Sequence, residues 1–520
     1  MDEKRHIARS AGLMSIATFI SRILGYVKDM ILAKFFGATG IADTFFVAFR
    51  IPNLLRELFA EGSMSSALIP VLTEHQTKQG IEETKRLVRI TFTFILIFIG
   101  SICIVGIIFA PAIVTAVAPG FLDMPEKFSL TILLTRIMFP FLLFISLAAL
   151  VMGALNTRRI FFIPSLAPAM LNIAIITMVL LLAPKMEQPI VAVAIGVALG
   201  GFIQFAFQLP SFFKNGYSLV PEYDFGHPGL KKMSILILPA TMGMAVAQIN
   251  IFISTILASY LPEGSITYLY YSMRLIQFPI GIFGVAMGMA VLPTLSEHAV
   301  KGEFDRLRDD FSFALRLLFF ITIPAMAGLI ALREPIVNIL FQRGEFDYTA
   351  TVGTAQALLF YSIGIWSIVG VRVVTATFYS MQDTKTPVKV AVVALAMNVI
   401  LSIILMKPLK HGGLALANAI SSGVNFILLF YFLRQRLKRV DVKRIVNSLI
   451  KISIASALMG FLGWFLLHGE LWQQSGKSIE KAFYLSGIIV LCAGIYFFMS
   501  YLFKSEELGH VIEMIKRKFL

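Results

Sequence analysis

The sequence predicts an all-α polytopic membrane protein of about fourteen transmembrane helices, and three observations predict it. Hydrophobic residues make up 58% of the 520 and charged residues only 14%, with a mean hydropathy of +0.82; soluble domains carry about 25% charged residues. Phe92–Ala112, Ile235–Leu257, Phe313–Ile330 and Ala482–Tyr501 are apolar runs of the length, about 20 residues, that crosses a hydrocarbon layer as a helix. Basic residues punctuate every second loop. Lipid offers the backbone no hydrogen-bond partner, so such spans are helical.

Taken in order, the spans are 10–36, 41–76 (long and broken), 86–118, 128–155, 163–184, 188–213, 229–260, 266–296, 308–332, 348–380, 385–407, 412–434, 447–468 and 479–503. The first follows a polar, basic start, contains Arg22 and has no small-residue cleavage site, so it reads as a retained helix rather than a signal peptide. Cys103 and Cys492 lie inside apolar segments far apart, which supports packing roles and neither a disulfide framework nor a metal site.

Lys4, Arg5 and Arg9 precede the first span; Lys78, Lys85, Arg86 and Arg89 follow the second; Arg158 and Arg159 follow the fourth. The densest group, Arg434 to Arg444, follows the twelfth, and Lys516, Arg517 and Lys518 close the chain. By the positive-inside rule both termini are cytoplasmic. The net charge of +15 is therefore mostly topology. No soluble basic domain exists to carry nucleic-acid binding.

An internal repeat organises the spans. Pro70-Val71-Leu72-Thr73-Glu74-His75 recurs 223 residues later as Pro293-Thr294-Leu295-Ser296-Glu297-His298, and the same offset relates Pro164 to Pro387, Gly200 to Gly423 and Phe207 to Phe430. Spans one to six (N-lobe, 1–222) and seven to twelve (C-lobe, 223–440) read as two copies of one unit, with two further helices in 441–520. Each copy has an even number of spans, so the lobes are parallel repeats about a pseudo-two-fold along the membrane normal. Transporters of that build hold substrate between lobes and rock them for alternating access; duplication without a moving cavity is the alternative.

Cations interrupt the apolar segments: Arg22 and Lys28 the first, Arg50 and Arg56 the second, Arg274 the eighth. A cation at bilayer depth costs about 2.5–3.5 kcal/mol even on a lenient scale, so such residues usually face a cavity. Arg22 lies about 18 Å into its helix and Arg274 about 12 Å into its own at 1.5 Å per residue; Arg136, Arg333 and Arg372 lie nearer span ends, where snorkelling suffices. Acids accompany some of them. Asp43, Arg50, Glu57 and Glu61 repeat at seven, seven and four residues, one helical stripe unless Pro52 turns the register, and Asp29 adjoins Lys28. These read equally as gating charges or as pairs that satisfy one another. The seventh and eighth spans contain no acid for Arg274, so the cavity as a whole is expected to be positive and suited to an anion.

Glu61-Gly62-Ser63 interrupts the second span, and Phe278-Pro279-Ile280-Gly281 with Gly284 and Gly288 the eighth. Paired interruptions in two halves point to a binding site, while Gly284 and Gly288 also have the spacing of close helix packing. Gln248, Asn250, Asn398 and Ser402 are polar oxygen donors inside spans and form a candidate sodium site without a carboxylate of their own. All seven histidines fall in loops or at span ends, leaving no buried general base of the usual kind. Gly476-Lys477-Ser478 imitates the end of a phosphate-binding loop, but Leu471 takes the first glycine position and no strand precedes it. The chain reads as a transporter, not an enzyme.

Ser21-Arg22-Ile23-Leu24-Gly25, Ala42-Asp43-Thr44-Phe45-Phe46-Val47-Ala48-Phe49, Ile51-Pro52-Asn53-Leu54-Leu55-Arg56 and Phe59-Ala60-Glu61-Gly62-Ser63 resemble the MurJ (MviN) lipid II flippases of the multidrug/oligosaccharidyl-lipid/polysaccharide exporter superfamily. So do Tyr270-Tyr271 with Arg274-Leu275, Leu292-Pro293-Thr294-Leu295-Ser296 and Gln382-Asp383-Thr384-Lys385-Thr386-Pro387. The resemblance covers essentially the whole chain. It implies a bacterial cytoplasmic (inner) membrane protein that carries the undecaprenyl-diphosphate-linked peptidoglycan precursor from the inner to the outer leaflet, supporting cell-wall synthesis and cell shape. It further implies that Arg22, Lys28, Arg56 and Arg274 hold the diphosphate, and that the last two helices wall an apolar groove for the isoprenoid tail. A regulatory or partner-binding appendage is the alternative for those helices. Lys28 departs from the arginine expected there and lacks its bidentate fork; Met273 stands where relatives often carry an acid.

Membrane lipids and other cell-wall synthesis proteins are the implied partners, with no cofactor beyond coupling to sodium or to the membrane potential. An O-antigen or polysaccharide-lipid flippase, or a multidrug exporter, is the alternative on the same scaffold; an exporter of cationic drugs would carry unpaired acids rather than bases.

Overall fold

The computed structural model describes residues 2–58, 63–438 and 440–519, with side chains at all of these except 2–11, 63–66, 238–247, 285–286, 514–515 and 517–519. Every regular element among the described residues is helical. Two compact units divide the chain, Met1–Glu263 and Gly264–Leu520.

The first unit holds α1 (Asp2–Phe36), α2 (Gly40–Arg56), α3 (Ser63–Lys78), α4 (Ile81–Ile108), α5 (Ala110–Val117), α6 (Pro125–Met138), α7 (Pro140–Thr157), α8 (Phe162–Leu182), α9 (Ile190–Ala206), α10 (Leu209–Lys214) and α11 (Pro228–Ser259). The second holds α12 (Ser265–Pro279), α13 (Val285–Lys301), α14 (Phe304–Ala331), α15 (Arg333–Phe341), α16 (Tyr348–Ile363), α17 (Ile365–Ser380), α18 (Lys385–Leu409), α19 (His411–Leu437), α20 (Val442–Leu467), α21 (Ser478–Leu502) and α22 (Glu506–Phe519).

Each of the fourteen expected spans falls on one of these helices or on two or three successive ones. By length and apolarity, 11 spans among the described residues qualify to cross a membrane. The spans carried by α1, by α2 with α3, and by α11 are not among them: α1 carries charges along its length, α2 and α3 are short, side chains 238–247 of α11 lie outside the description, and the break expected at Glu61-Gly62 falls on residues outside those described.

Local chemistry sets the helix ends and kinks. Thr39 caps α2 by accepting from the Ala42 N–H, Asp347 caps α16 through Ala350 at 2.7 Å, and Asp441 caps α20 through Arg444 at 3.1 Å, as short oxygen side chains do for orphan N–H groups. Pro140 opens α7 directly after α6, turning the fourth span at a residue with no N–H to donate. Hydroxyls of Thr91, Thr131, Thr135 and Ser146 bond the carbonyl four residues back, which lets polar side chains sit in an apolar layer.

Within the first unit α8 and α9 meet through small residues: a Cβ on Gly196 would lie 2.9 Å from the Ile175 Cα, and one on Gly200 2.6 Å from Leu171. Helix α11 packs on α3 and α4. Lys232 bridges to Glu74 at 2.5 Å, His227 lies 3.1 Å from Glu83, and the Ser259 hydroxyl accepts from the Gly120 N–H at 3.1 Å. This compact unit therefore runs to Glu263, past the end of the first sequence copy at 222; the repeat is a relation of sequence and the unit one of packing.

In the second unit α20 lies along α14, and α21 along α20. The Tyr496 hydroxyl donates to the Phe320 carbonyl at 2.6 Å and Gly463 passes within van der Waals reach of Leu332 and Cys492. Asn338 of α15 and Gln342, just past its end, donate to the carbonyls of Trp472 and Gln473, at 2.7 and 2.8 Å, pinning the loop that joins the last two spans.

Candidate functional site

Helix α1 turns Ile16, Phe19, Ile20, Ile23 and Val27 outward, the surface expected of a lipid-facing helix. Arg22 is also exposed, and no carboxylate among the described residues pairs with it. Arg22 and Asp29 are seven residues apart, hence on one face two turns away. Asp29 is fully buried and its carboxylate lies 3.1 Å from Lys28, whose side chain is 12% exposed. An unpaired buried carboxylate would be costly; the adjacent ammonium offsets that cost and is itself neutralised. Asn172 of α8 donates to the Ser21 carbonyl at 3.3 Å, fixing this turn of α1 against its neighbour.

On α2 a polar knot surrounds Arg56. Its Nε donates to Asn53 Oδ1 at 3.0 Å, the Asn53 amide donates to Glu57 at 2.9 Å, and the Arg56 guanidinium lies 3.8 Å from the same carboxylate. Gln248 of α11 donates to the other Glu57 oxygen. Asn53 was not singled out by the sequence reading, although its offsets of three and four from Arg56 and Glu57 place all three on one face. Nor was an acid expected beside Gln248; it arrives from α2 rather than from the seventh span.

Asp43, 1% exposed, lies 3.5 Å from Lys127 of α6. Lys127 also reaches Glu263 at 3.8 Å and stands 4.4 Å over the Phe121 ring. The stripe linking Asp43 to Arg50 and Glu57 is thus crossed by a cation from another helix, and Lys127 is a residue the sequence reading missed: it sits at a span end, where a lysine ordinarily signals only solvent. Arg50 is half-buried. Glu61 lies outside the described residues.

In the second unit Arg274 is half-buried on α12. Three residues earlier Tyr271, 1% exposed, packs at a tilt on Phe341 at 4.6 Å and meets Phe346 edge-on at 5.7 Å; this aromatic anchor fixes the rotation of α12 and with it the position of Arg274. The expected interruption of the eighth span is a π-helical turn, Ile280–Gly284, directly after Pro279. Such turns are rare and often functional. A Cβ on Gly284 would meet Val369 Cγ1 at 2.9 Å and Arg372 Cδ at 3.4 Å, so the turn rests on α17 through a glycine. Arg372, read from sequence as a snorkelling residue, lies beside this turn. Arg136 and Arg333, read from sequence as snorkelling too, donate to the carbonyls of Ile107 at 3.2 Å and Ile330 at 2.7 Å, near the ends of α4 and α14.

Of the four candidate ion ligands, Asn398 and Ser402 are buried one turn apart on α18, while Gln248 and Asn250 belong to α11 in the first unit. Among the described residues no group of three or more His, Cys, Asp or Glu side chains could hold a metal ion.

This arrangement of buried pairs, an exposed arginine on α1 and a π turn sits in a chain whose residues 32–485 match the family described as "Lipid II flippase MurJ". The chain belongs to that family. A MurJ relative from Vibrio cholerae, named "Probable lipid II flippase MurJ", is 37% identical over 500 residues, covering 95% of each chain. "Lipid II flippase MurJ" of Burkholderia cenocepacia is 34% identical over 487 residues, covering 93% of this chain and 94% of its own. The solved structure "Lipid II flippase MurJ, inward closed conformation" matches with a TM-score of 0.79 at 28% identity, over 94% of this chain and 98% of the other. An inward-facing multidrug resistance MATE transporter of the MOP superfamily matches with a TM-score of 0.67 at 17% identity, over 80% and 94%; that likeness is one of fold. MurJ proteins are transporters and not enzymes, in keeping with the sequence reading.

Proposed function

We propose that this chain flips lipid II from the inner to the outer leaflet of the bacterial cytoplasmic membrane by alternating access through a cationic cavity. The observation that carries this reading is the family match over residues 32–485, with relatives of nearly full mutual coverage. Arg22, Lys28, Arg56 and Arg274 are the proposed diphosphate ligands, acting between an N-lobe of 1–222 and a C-lobe of 223–440. The residues 441–520 supply the apolar wall for the isoprenoid tail. Both termini are placed in the cytoplasm on the strength of the basic loops.

The ligands are proposed to divide the work. Lys28 and Arg56 already have carboxylate neighbours, so their charge becomes available only as those pairs loosen; Asp29, Asp43, Arg50, Glu57 and Glu61 are then the charge-pair set whose exchange accompanies the cycle. Arg22 is the cation best placed for first capture, because its exposure supports contact with an incoming phosphate. A polyphosphate head group and a bidentate guanidinium suit one another.

Outward movement of a negative charge from a negative cytoplasm gains about 2.3 kcal/mol per elementary charge per 100 mV, which supports drive by the membrane potential. Flipping by reconstituted protein that is indifferent to imposed voltage removes that coupling. A sodium role for Gln248, Asn250, Asn398 and Ser402 stays a proposal of lower rank, since Gln248 is engaged with Glu57. Depleting the protein in its host and locating lipid-linked precursor tests the whole reading: build-up in the inner leaflet is expected, and an unchanged distribution contradicts it.

A further inference from the structure

Helix α22 begins just beyond the end of the last span and is anchored at its first turn. Glu507, 2% exposed, accepts from Arg316 of α14 at 2.8 Å and from Ser448 of α20 at 2.8 Å. Glu506 accepts from the same Arg316 at 2.8 Å and from Arg444 at 2.7 Å. One turn on, the His510 ring lies 5.0 Å from that of Phe313. At 100° per residue Glu506, Glu507 and His510 share one side of the helix, and their contacts show that this polar side is the one turned to α14 and α20.

The apolar residues follow a different line. Leu508, Val511, Ile512, Ile515 and Phe519 recur at spacings of three and four, a stripe rotated well away from the anchored side. Leu508, beside the anchor, is buried, but Ile512 is 40% exposed. Positions 516 and 518 flank the stripe with lysines, Arg517 lies between them, and no acid follows Glu513. A helix that spends its polar side on the protein and keeps an apolar stripe with lysine margins has the pattern of one lying in a membrane interface. Its start, directly after a span, is at headgroup depth, and its cations complement an anionic leaflet.

We propose that α22 lies in the headgroup layer of an anionic leaflet, its apolar stripe at the acyl boundary and its basic last turn toward phospholipid phosphates. The anchor through Glu506 and Glu507 then ties α14 and α20 to the membrane surface. Each cation near such a surface contributes about 1 kcal/mol, roughly a fivefold partition factor. The inference does not depend on the transported substrate.

The test uses the full chain carrying Cys103→Ala, Cys492→Ala and Ile512→Cys, labelled at 512 with a polarity-sensitive fluorophore and reconstituted in phosphatidylcholine vesicles with or without phosphatidylglycerol. Expected are lower quenching by neutral, water-soluble acrylamide and higher quenching by doxyl-labelled lipid when phosphatidylglycerol is present. The difference disappears in Lys516→Gln/Arg517→Gln/Lys518→Gln and shrinks as salt shortens the Debye length from about 10 Å at 0.1 M to about 3 Å at 1 M. Equal quenching in both lipids, or shielding that the triple variant leaves intact, overturns the proposal. Shielding from acrylamide without doxyl quenching also overturns it, since the stripe is then covered by protein. Thermal unfolding of the triple variant, expected at the wild-type temperature, separates loss of lipid contact from loss of fold.

Discussion

Asp43 and Lys127 form a buried ion pair at 3.5 Å between α2 and α6, with the lysine also over the Phe121 ring. Removing one partner strands a charge, at a typical cost of about 3–5 kcal/mol, whereas replacing both with neutral groups can be nearly neutral. Lys127→Met is therefore expected to lower the unfolding temperature of the purified protein, and Asp43→Asn/Lys127→Met to recover most of it. A double variant as unstable as the single one would show that the pair contributes little.

Glu57 accepts from both Asn53 and Gln248, which links α2 to α11. Gln248→Ala leaves one carboxylate oxygen without that donor, and a lost hydrogen bond to a charged group costs about 1.5–3 kcal/mol. Gln248→Glu sets two carboxylates together and is expected to impair transport more severely than the alanine. Complementation of a depleted host reads both variants; equal function for the two would mean that the contact is incidental.

The π turn rests on α17 through Gly284, with Val369 and Arg372 as neighbours. Gly284→Val adds branched bulk where even a Cβ is tight, and overpacking costs about 1–3 kcal/mol. Reduced stability together with reduced transport is expected, and Gly284→Ala should fall between it and wild type. Wild-type behaviour of the valine variant would show that the turn is free to shift.

Outside the spans, the hydrogen bond from Arg86 holds the Glu222 carboxyl below its ordinary value, against burial, which pushes it up, and with help from Arg89. A carboxyl depressed on folding stabilises the folded state above its unfolded pKa, about 4.3, and loses that contribution as pH falls through the depressed value. Glu222→Gln should unfold at a lower temperature than wild type at pH 7, with the gap closing as pH falls below about 4. A gap constant with pH would assign the effect to packing.

The helical pattern was legible because lipid makes it so: spans such as 163–184 and 479–503 are long, apolar and bounded by charge, and α8 and α21 fall on them. The break after Pro279 was legible from the proline and its glycines, whereas 128–155 read as one continuous span and the turn at Pro140 emerges only in the structure. The pairing of buried charges was not legible. Lys28 and Asp29 are neighbours in sequence, so their contact could be read locally, but Lys127 reaches Asp43 from 84 positions further along the chain, and nothing in its own loop distinguishes it from a solvated lysine. Gln248 and Glu57 are likewise joined only by the packing of α11 on the first unit. Arg372 is exposed, as its place near a span end led us to expect, but its closeness to the π turn at Gly284 was not legible, because α17 and that turn are joined only by packing.

In the proposed function the Arg22 guanidinium captures the diphosphate of lipid II, and that claim can be tested at this one side chain. Lipid II movement should be measured in proteoliposomes by its accessibility to an external modifying enzyme, comparing wild type with Arg22→Lys and Arg22→Ala at matched protein incorporation. Loss of a charged contact worth about 1.5–3 kcal/mol predicts a fall of about 10- to 150-fold for the alanine, with partial activity for the lysine. Transport by Arg22→Ala at the wild-type rate would contradict the claim.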